Sequence, residues 1–308
     1  MPRSQLLFLL RISALLLCML PTTLYASEPH SGPKVAVTIK PVYSLVAALM
    51  TGVGEPELII SNNASPHHYS LRPSERRLIA HADLVIWVSP QLESFMPRVI
   101  DSMQQDNTLR LMDVAAIQRL PARTSHHQHG TEPHASTQIM DPHIWLSPAN
   151  ARAIINTVSQ ELSKLDPANQ QRYMNNRDTL HKRISITEDK IKNLLAGKNE
   201  PFLSYHDAYQ YFETAFGLNN AGFVSTGAEI SPSARQVHKL REKIKRENIH
   251  CLLYEAPYRP ALADTLTQDL DIKTTEVDAI GVRLAANADT WFELMLRVAE
   301  AHASCLSF

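Results

Sequence analysis

Apolar residues along this chain fall into two patterns, which are short continuous runs and longer stretches with helical spacing. Runs of aliphatic and β-branched residues at 34–40, 57–60 and 83–88 are typical of buried strands. Helical spacing begins at Val42, after the first run, and returns at 74–81. Because strands that alternate with helices form parallel sheets, this part of the chain predicts an α/β lobe.

The middle of the chain predicts one long helix. Asp166 and Pro167 are typical of a helix cap followed by a first-turn proline, and Gly197 is typical of a helix end. The apolar residues between these signals form one stripe, made of Tyr173, Leu180, Ile184, Ile191 and Leu195. The pattern predicts a helix of about 28 residues, which at 1.5 Å per residue is about 40 Å long.

A second alternation of strands and helices follows this helix. Strands are predicted at 201–204, 222–224, 249–255 and 273–277, with helices beginning near Ala208, Pro232, Pro260 and Asp289. The predicted fold is therefore α/β, with two parallel-sheet lobes joined by one long helix. The predicted boundaries are an N-terminal lobe at 27–165, the linking helix at 166–197 and a C-terminal lobe at 198–308. Since ligands of open α/β sheets bind at the carboxyl ends of strands, we expect the site in the cleft between the lobes.

The first 26 residues have the pattern of a secretory signal peptide. Arg3 and Arg11 precede an apolar run at 12–20, and Ala26 supplies a small residue before a cleavage point. The run is too short for an ordinary membrane span, although a retained anchor helix is the alternative. We therefore expect a cleaved leader and a soluble mature protein in the periplasm.

Composition narrows the function. The 308 residues carry 30 basic and 31 acidic side chains, which gives no electrostatic footprint for nucleic acid. The 14 histidines are the unusual feature, because histidine is the commonest protein ligand for metals. Removal of the leader leaves two cysteines, Cys251 and Cys305, which an oxidising compartment favours as a disulfide. Two unrelated buried thiols are the alternative.

One segment breaks the α/β pattern. Residues 121–137 hold few apolar side chains and four histidines, which are His126, His127, His129 and His134. Such a segment buries too little surface to offset its ordering entropy, so we predict a His-rich loop. Weak accessory capture of metal and a merely solvated insertion are both consistent with this composition.

Three other histidines follow strands or connections and are the candidate metal ligands. His67 lies in Ser65-Pro66-His67-His68-Tyr69, His143 in Asp141-Pro142-His143, and His206 in Ser204-Tyr205-His206-Asp207. Three neutral imidazoles bind zinc and leave one tetrahedral position open. Asp278 and Glu255 both follow predicted strands of the second lobe, so either could be the fourth ligand; Asp278 is the first choice, with Glu255 or a water as alternatives. A helix cap or a hydrogen bond to one of the ligands is the alternative role for Asp278.

The mature chain resembles the family of periplasmic proteins and lipoproteins that bind metal for ABC-type uptake of zinc and manganese, and within it the zinc-specific members. The stretches that carry the resemblance are Ser65-Pro66-His67-His68-Tyr69, Leu71-Arg72-Pro73-Ser74, Ala82-Asp83-Leu84-Val85, Asp141-Pro142-His143-Ile144-Trp145-Leu146-Ser147-Pro148 and His206-Asp207-Ala208-Tyr209. The resemblance implies two lobes around a backbone helix, with a metal held by His67, His143 and His206. Zinc-type members also carry a cysteine pair at the places of Cys251 and Cys305.

The expected function is capture of Zn²⁺ and its delivery to a membrane permease driven by a cytoplasmic ATPase, by a monomer that is not an enzyme. Manganese-type members carry a carboxylate at the place of His206, and a third nitrogen ligand favours Zn²⁺ over Mn²⁺. Binding of manganese or another divalent metal is the alternative within the family. A secreted zinc hydrolase is the alternative outside it, but the chain holds no His-Glu-x-x-His sequence.

Overall fold

Eight strands form two four-stranded parallel sheets in the computed structural model, which describes residues 32–62, 64–103, 106–123, 139–225, 233–255 and 261–307. The first sheet has the order β2-β1-β3-β4 and consists of β1 (Val35–Val37), β2 (Glu57–Leu58), β3 (Leu84–Trp87) and β4 (Thr108–Arg110). The second has the order β6-β5-β7-β8 and consists of β5 (Phe202–His206), β6 (Asn220–Ser225), β7 (Cys251–Glu255) and β8 (Lys273–Val277). The predicted α/β fold with two parallel sheets is confirmed.

Helices connect the strands of both sheets. Those of the first half are α1 (Lys40–Leu49), α2 (Pro73–His81), α3 (Met96–Met103) and α4 (Pro148–Leu165). The long α5 (Gln170–Leu194) leads into the second half, which contains α6 (Gln210–Phe216), α7 (Ala234–Arg246), α8 (Ala261–Thr267) and α9 (Thr290–Cys305). Among the described residues, no helix is both long enough and apolar enough to cross a membrane. The predicted leader at 1–26 lies outside them.

The linking helix α5 has 25 residues and is therefore about 37 Å long. The predicted stripe is its buried face, since Tyr173, Leu180, Ile184 and Ile191 are 2% exposed or less. It begins later than predicted because the residues after Asp166 form a separate 3₁₀ turn, Pro167–Asn169. The helix thus follows α4 after a short break and keeps its apolar face on the core.

The first predicted strand is too long at its end. The strand stops at Val37, and α1 already begins at Lys40. Pro41 explains the early start, because its fixed φ and missing N–H suit the first turn of a helix. The pattern also missed β4 and α3, both short and only partly buried.

One of the two buried hydrophobic clusters among the described residues reaches both sheets, and hydrogen bonds cross between the sheets. Val37 of the first sheet and Leu253 of the second belong to the same buried cluster. Trp145 Nε1 donates to the carbonyl of Ala279 at 2.7 Å, and Trp291 Nε1 donates to the carbonyl of Trp145 at 2.8 Å. These bonds join the segment after His143 to the residues after β8 and to α9.

A disulfide joins the second sheet to helix α9. Cys251 and Cys305 are bonded, with their Cα atoms 5.4 Å apart. The bond links the first residue of β7 to the last residue of α9. It therefore lies at the strand end opposite the one where ligands of parallel sheets bind.

Candidate metal centre

Three imidazole rings converge between the two sheets. His67 lies in the 3₁₀ turn Pro66–His68, His143 directly precedes the turn Ile144–Leu146, and His206 is the last residue of β5. The ring centroids are 5.5 Å apart for His67–His143, 5.8 Å for His67–His206 and 5.2 Å for His143–His206. One nitrogen of each ring lies within 4.8 Å of the others, and this is the one such cluster of His, Cys, Asp or Glu among the described residues.

Each ring is oriented by an acceptor at its Nδ1 atom. Nδ1 of His143 is 2.7 Å from Oδ1 of Asp141, and that oxygen also accepts the His143 backbone N–H at 2.9 Å. Nδ1 of His206 is 2.9 Å from Oε2 of Glu255, and Nδ1 of His67 is 3.3 Å from the carbonyl of Gln91. An acceptor at Nδ1 places the proton on that nitrogen and leaves the lone pair of a neutral ring on Nε2.

The Nε2 atoms are therefore the nitrogens whose lone pairs can bind a metal. Nε2 of His67 is buried and makes no hydrogen bond. A buried polar atom without a partner is costly, and a bound ion is one of the few things that would satisfy it. Zinc takes three imidazole nitrogens at about 2.0–2.1 Å, so this donor set matches its chemistry.

Protonation of the cluster is uneven. Burial, together with the charges of His143 and His206, lowers the pKa of His67 to about 3. Burial also lowers the pKa of His206, but the charge of Glu255 and the hydrogen bond to it outweigh this effect and raise the pKa above 6.5. His67 thus stays neutral at any ordinary pH, while His206 holds its proton more strongly than His67 does.

Glu255 is fixed by two partners. Besides His206, its Oε1 accepts a hydrogen bond from the hydroxyl of Tyr209 at 3.2 Å. Burial raises the pKa of Glu255, but the charge of His206 and the hydrogen bond to it bring the pKa below its ordinary value. The carboxylate of Glu255 therefore orients the ring of His206. The sequence predicts Glu255 only as an alternative fourth ligand of the metal.

Asp278 does not join the cluster. Its Oδ1 accepts the backbone N–H groups of Ile280 at 3.1 Å and Gly281 at 2.8 Å, so the carboxylate stabilises the turn after β8. Burial raises the pKa of Asp278, and the backbone hydrogen bonds oppose that rise. Its predicted role as the fourth metal ligand gains no support from this arrangement.

His68, next to His67, is exposed and is not part of the cluster. The accessory histidines His126, His127, His129 and His134 lie outside the described residues. The candidate centre is thus defined by His67, His143 and His206.

The two-lobed fold is shared with solved structures. One is the solute-binding protein FpvC of Pseudomonas aeruginosa in complex with Mn²⁺, which is 23% identical, with 89% of this chain and 98% of that chain covered and a TM-score of 0.77. Another is a crystal structure of ZnuA, 18% identical, with 90% of this chain and all of that chain covered and a TM-score of 0.76. These structures share the fold of this chain, and within that fold the three histidines form a candidate metal centre.

The sequence then specifies the family. The family described as zinc-uptake complex component A, periplasmic, matches residues 35–305, and the chain belongs to it. The high-affinity zinc uptake system protein ZnuA of Paracoccus denitrificans is 30% identical, with 89% of this chain and 92% of the relative covered. Its namesake in Yersinia pestis is 27% identical, with 94% and 96% covered.

Proposed function

We propose that this chain captures Zn²⁺ in the periplasm through Nε2 of His67, His143 and His206 and delivers it to an ABC-type permease powered by a cytoplasmic ATPase. The observation that carries the proposal is the common arrangement of the three rings, each with an acceptor at Nδ1 and with one nitrogen within 4.8 Å of those of the other two rings. The metal is cargo and undergoes no chemistry. Family membership and relatives named for zinc uptake support the same conclusion.

The donor set supports zinc over manganese. All three candidate ligands are nitrogens, and Mn²⁺ prefers hard oxygen donors. Glu255, the carboxylate that could supply oxygen, already accepts from His206 and Tyr209. Nickel and copper also bind imidazole well, so selection among the nitrogen-binding metals depends on their supply.

Water is the fourth ligand that we propose. Both carboxylate oxygens of Glu255 have hydrogen-bond partners, and Asp278 stabilises the turn after β8 through its Oδ1. An open tetrahedral position filled by water costs nothing in protein contacts. It also leaves a face of the ion from which a transport partner can extract it.

The test is a metal titration of the stripped, full-length mature protein. We expect one tightly bound Zn²⁺ per chain that excess Mn²⁺ does not displace. His143→Ala should abolish tight binding, whereas Asp278→Asn should leave it within a few-fold. His181→Ala is the control, because His181 pairs with Asn156 at 2.8 Å on the α4–α5 surface.

Two results would overturn the proposal. Mn²⁺ binding as tight as Zn²⁺ binding would indicate an oxygen-rich site. A loss of zinc with Asp278→Asn equal to that with His143→Ala would make Asp278 a ligand after all.

A further inference from the structure

Two short chain segments beside the metal centre pair with each other and bring the first lobe onto the second. Pro121 and Met140 form an antiparallel bridge, and the N–H of Ala122 donates to the carbonyl of Ile139 at 2.9 Å. The N–H of Asp141 donates to the carbonyl of Leu120, also at 2.9 Å. We call this pair of segments, residues 120–123 and 139–141, the stem.

The stem is attached to α6 and to the end of β5 by side chains. The hydroxyl of Tyr211 accepts the N–H of Leu120 at 2.9 Å and donates to the carbonyl of Asp141 at 2.9 Å. Arg123 Nε lies 2.8 Å from Oδ1 of Asp207, and its Nη1 lies 2.8 Å from Oε2 of Glu213. A single guanidinium thus joins the stem to two carboxylates of the second lobe.

These carboxylates depend on Arg123. The side chains of Asp207 and Glu213 are 8% and 4% exposed, and that of Arg123 is 27% exposed. Among the described residues, Glu213 also accepts a hydrogen bond from Asn220, but Arg123 is the cation paired with both acids. Removal of one partner from a buried ion pair leaves an uncompensated charge, which is strongly unfavourable.

Both ends of this contact adjoin the metal centre. Asp207 follows His206 in the chain, and Asp141 of the stem holds Nδ1 of His143. If the stem separated from α6, it would carry Asp141 away from the backbone of His206. Asp141 is the group that orients the ring of His143. Because Arg123 touches neither ring, its effect on a metal must pass through these neighbours.

We propose that Arg123 is a positioning residue that holds the His143 side of the site against the His206 side and so slows the release of zinc. The proposal rests on the function proposed above and adds to it the residue that sets how long the ion stays bound. Loss of groups that orient metal ligands typically costs about 10–100-fold in affinity, and we expect about tenfold here, mostly as faster dissociation.

The experiment compares Arg123→Ala with a matched arginine. Arg152 is 28% exposed and pairs with Glu188 at 3.0 Å, but it joins α4 to α5. Zinc dissociation is followed by stopped flow after mixing the loaded, full-length mature proteins with excess chelator, and thermal unfolding is measured on the same samples. We expect both variants to lower stability and only Arg123→Ala to speed zinc release.

Two further variants separate positioning from general damage. Arg123→Lys restores the charge but reaches one carboxylate well, so its release rate should lie between those of the wild type and Arg123→Ala. A double variant combines Arg123→Ala with Glu213→Gln. If Arg123 acts through Glu213, the two substitutions together should speed zinc release by less than their separate effects predict. If Arg123→Ala does not fold, the lysine variant decides the question, and a wild-type release rate in it would overturn the proposal.

The outcomes distinguish this inference from the proposed function. Tight zinc binding by the wild type together with equal release rates in Arg123→Ala and Arg152→Ala would overturn the role of Arg123 alone. Failure of the wild type to bind zinc tightly would overturn the proposed function and this inference with it. Absorption spectra of the Co²⁺-loaded proteins add a direct test, because a displaced His143 should alter the cobalt bands in Arg123→Ala and leave them unchanged in Arg152→Ala.

Discussion

His206 and Glu255 lie at the carboxyl ends of two adjacent parallel strands, with Nδ1 of the imidazole 2.9 Å from Oε2 of the carboxylate. The pairing of β5 with β7 fixes this distance through the backbone, so the ring is held before any ion arrives. Tyr209 fixes the other carboxylate oxygen. The second lobe therefore presents an imidazole that is already oriented and whose basicity is already set.

Glu255→Gln is expected to weaken zinc binding and to change its pH dependence. In the wild type, Glu255 raises the pKa of His206, so the metal must displace a proton and affinity falls as the pH is lowered through that pKa. The glutamine variant loses the charge that favours the protonated ring, so it should release less proton on binding near pH 7. Its zinc affinity should fall by about 10–100-fold because the ring is less firmly held.

Calorimetry in buffers of different ionisation enthalpy measures the released protons, and chelator competition measures the affinity. Glu188→Gln, which removes an acid paired with Arg152, is the control. An unchanged proton release in Glu255→Gln would contradict the coupling between His206 and Glu255.

His67 and His68 should differ sharply as alanine variants. The ring of His67 lies in the cluster, whereas His68 is exposed beside it. We expect His67→Ala to lose tight zinc binding and His68→Ala to keep it within about threefold, since exposed surface substitutions have small effects. Equilibrium dialysis with a competing chelator decides between them, and the reverse order of effects would assign the ligand to His68.

His302 makes stability depend on pH. It is fully buried, its Nδ1 donates to the carbonyl of Val298 at 2.7 Å, and its Nε2 has no hydrogen-bond partner. Burial lowers its pKa to about 4. Between about pH 6.5 and pH 4, His302 is therefore protonated in the unfolded chain and neutral in the folded chain. The free energy of unfolding should fall over this range as the pH is lowered, by up to about 3 kcal/mol.

Denaturant unfolding of the metal-free protein at several pH values checks this prediction. His302→Leu should remove part of the pH dependence, because leucine fills the pocket and cannot be protonated. His81→Gln, at an exposed position, should keep it. If the free energy of unfolding falls equally with pH in His302→Leu and in the wild type, groups other than His302 cause the loss of stability at acid pH.

Loss of the disulfide should affect stability more than zinc binding. The bond joins cysteines 54 positions apart, and in the chain-entropy model it contributes about 4 kcal/mol. Cys251 begins β7 and Glu255 ends it, so the bond lies about 13 Å along the strand from the metal centre. The double variant Cys251→Ala/Cys305→Ala should unfold at lower denaturant and bind zinc almost as tightly, as measured by fluorescence-monitored unfolding and chelator competition.

Buried strands, and the convergence of three histidines at one place, are the parts that the sequence predicts best. The β8 strand has its predicted limits, 273–277, because the β-branched residues Thr274, Thr275 and Val277 favour an extended backbone locally. His206 could be placed because it follows a strand whose end must face the cleft. The roles of Asp278 and Glu255 could not be told apart, since both acids follow strands and only the turn at Gly281 and the ring of His206 decide what each carboxylate contacts.

Residues that act through distant partners leave a weaker signal. Asp141 stands two positions before His143, and that spacing could have identified it as the orienting group. Arg123 gave no such signal, because its partners Asp207 and Glu213 follow it by more than eighty positions and are brought to it only by the complete fold.

The core that reaches both sheets has a consequence for how the protein can be divided. Trp145 and Trp291 lie between the sheets, and Nε1 of Trp291 donates a hydrogen bond to the carbonyl of Trp145. A cut at the linking helix α5 would therefore expose apolar surface on both pieces. Neither lobe would be an autonomous folding unit, and heat or denaturant should melt both in one transition. We therefore expect the movement that frees a bound ion to be small and confined to the edge of the cleft.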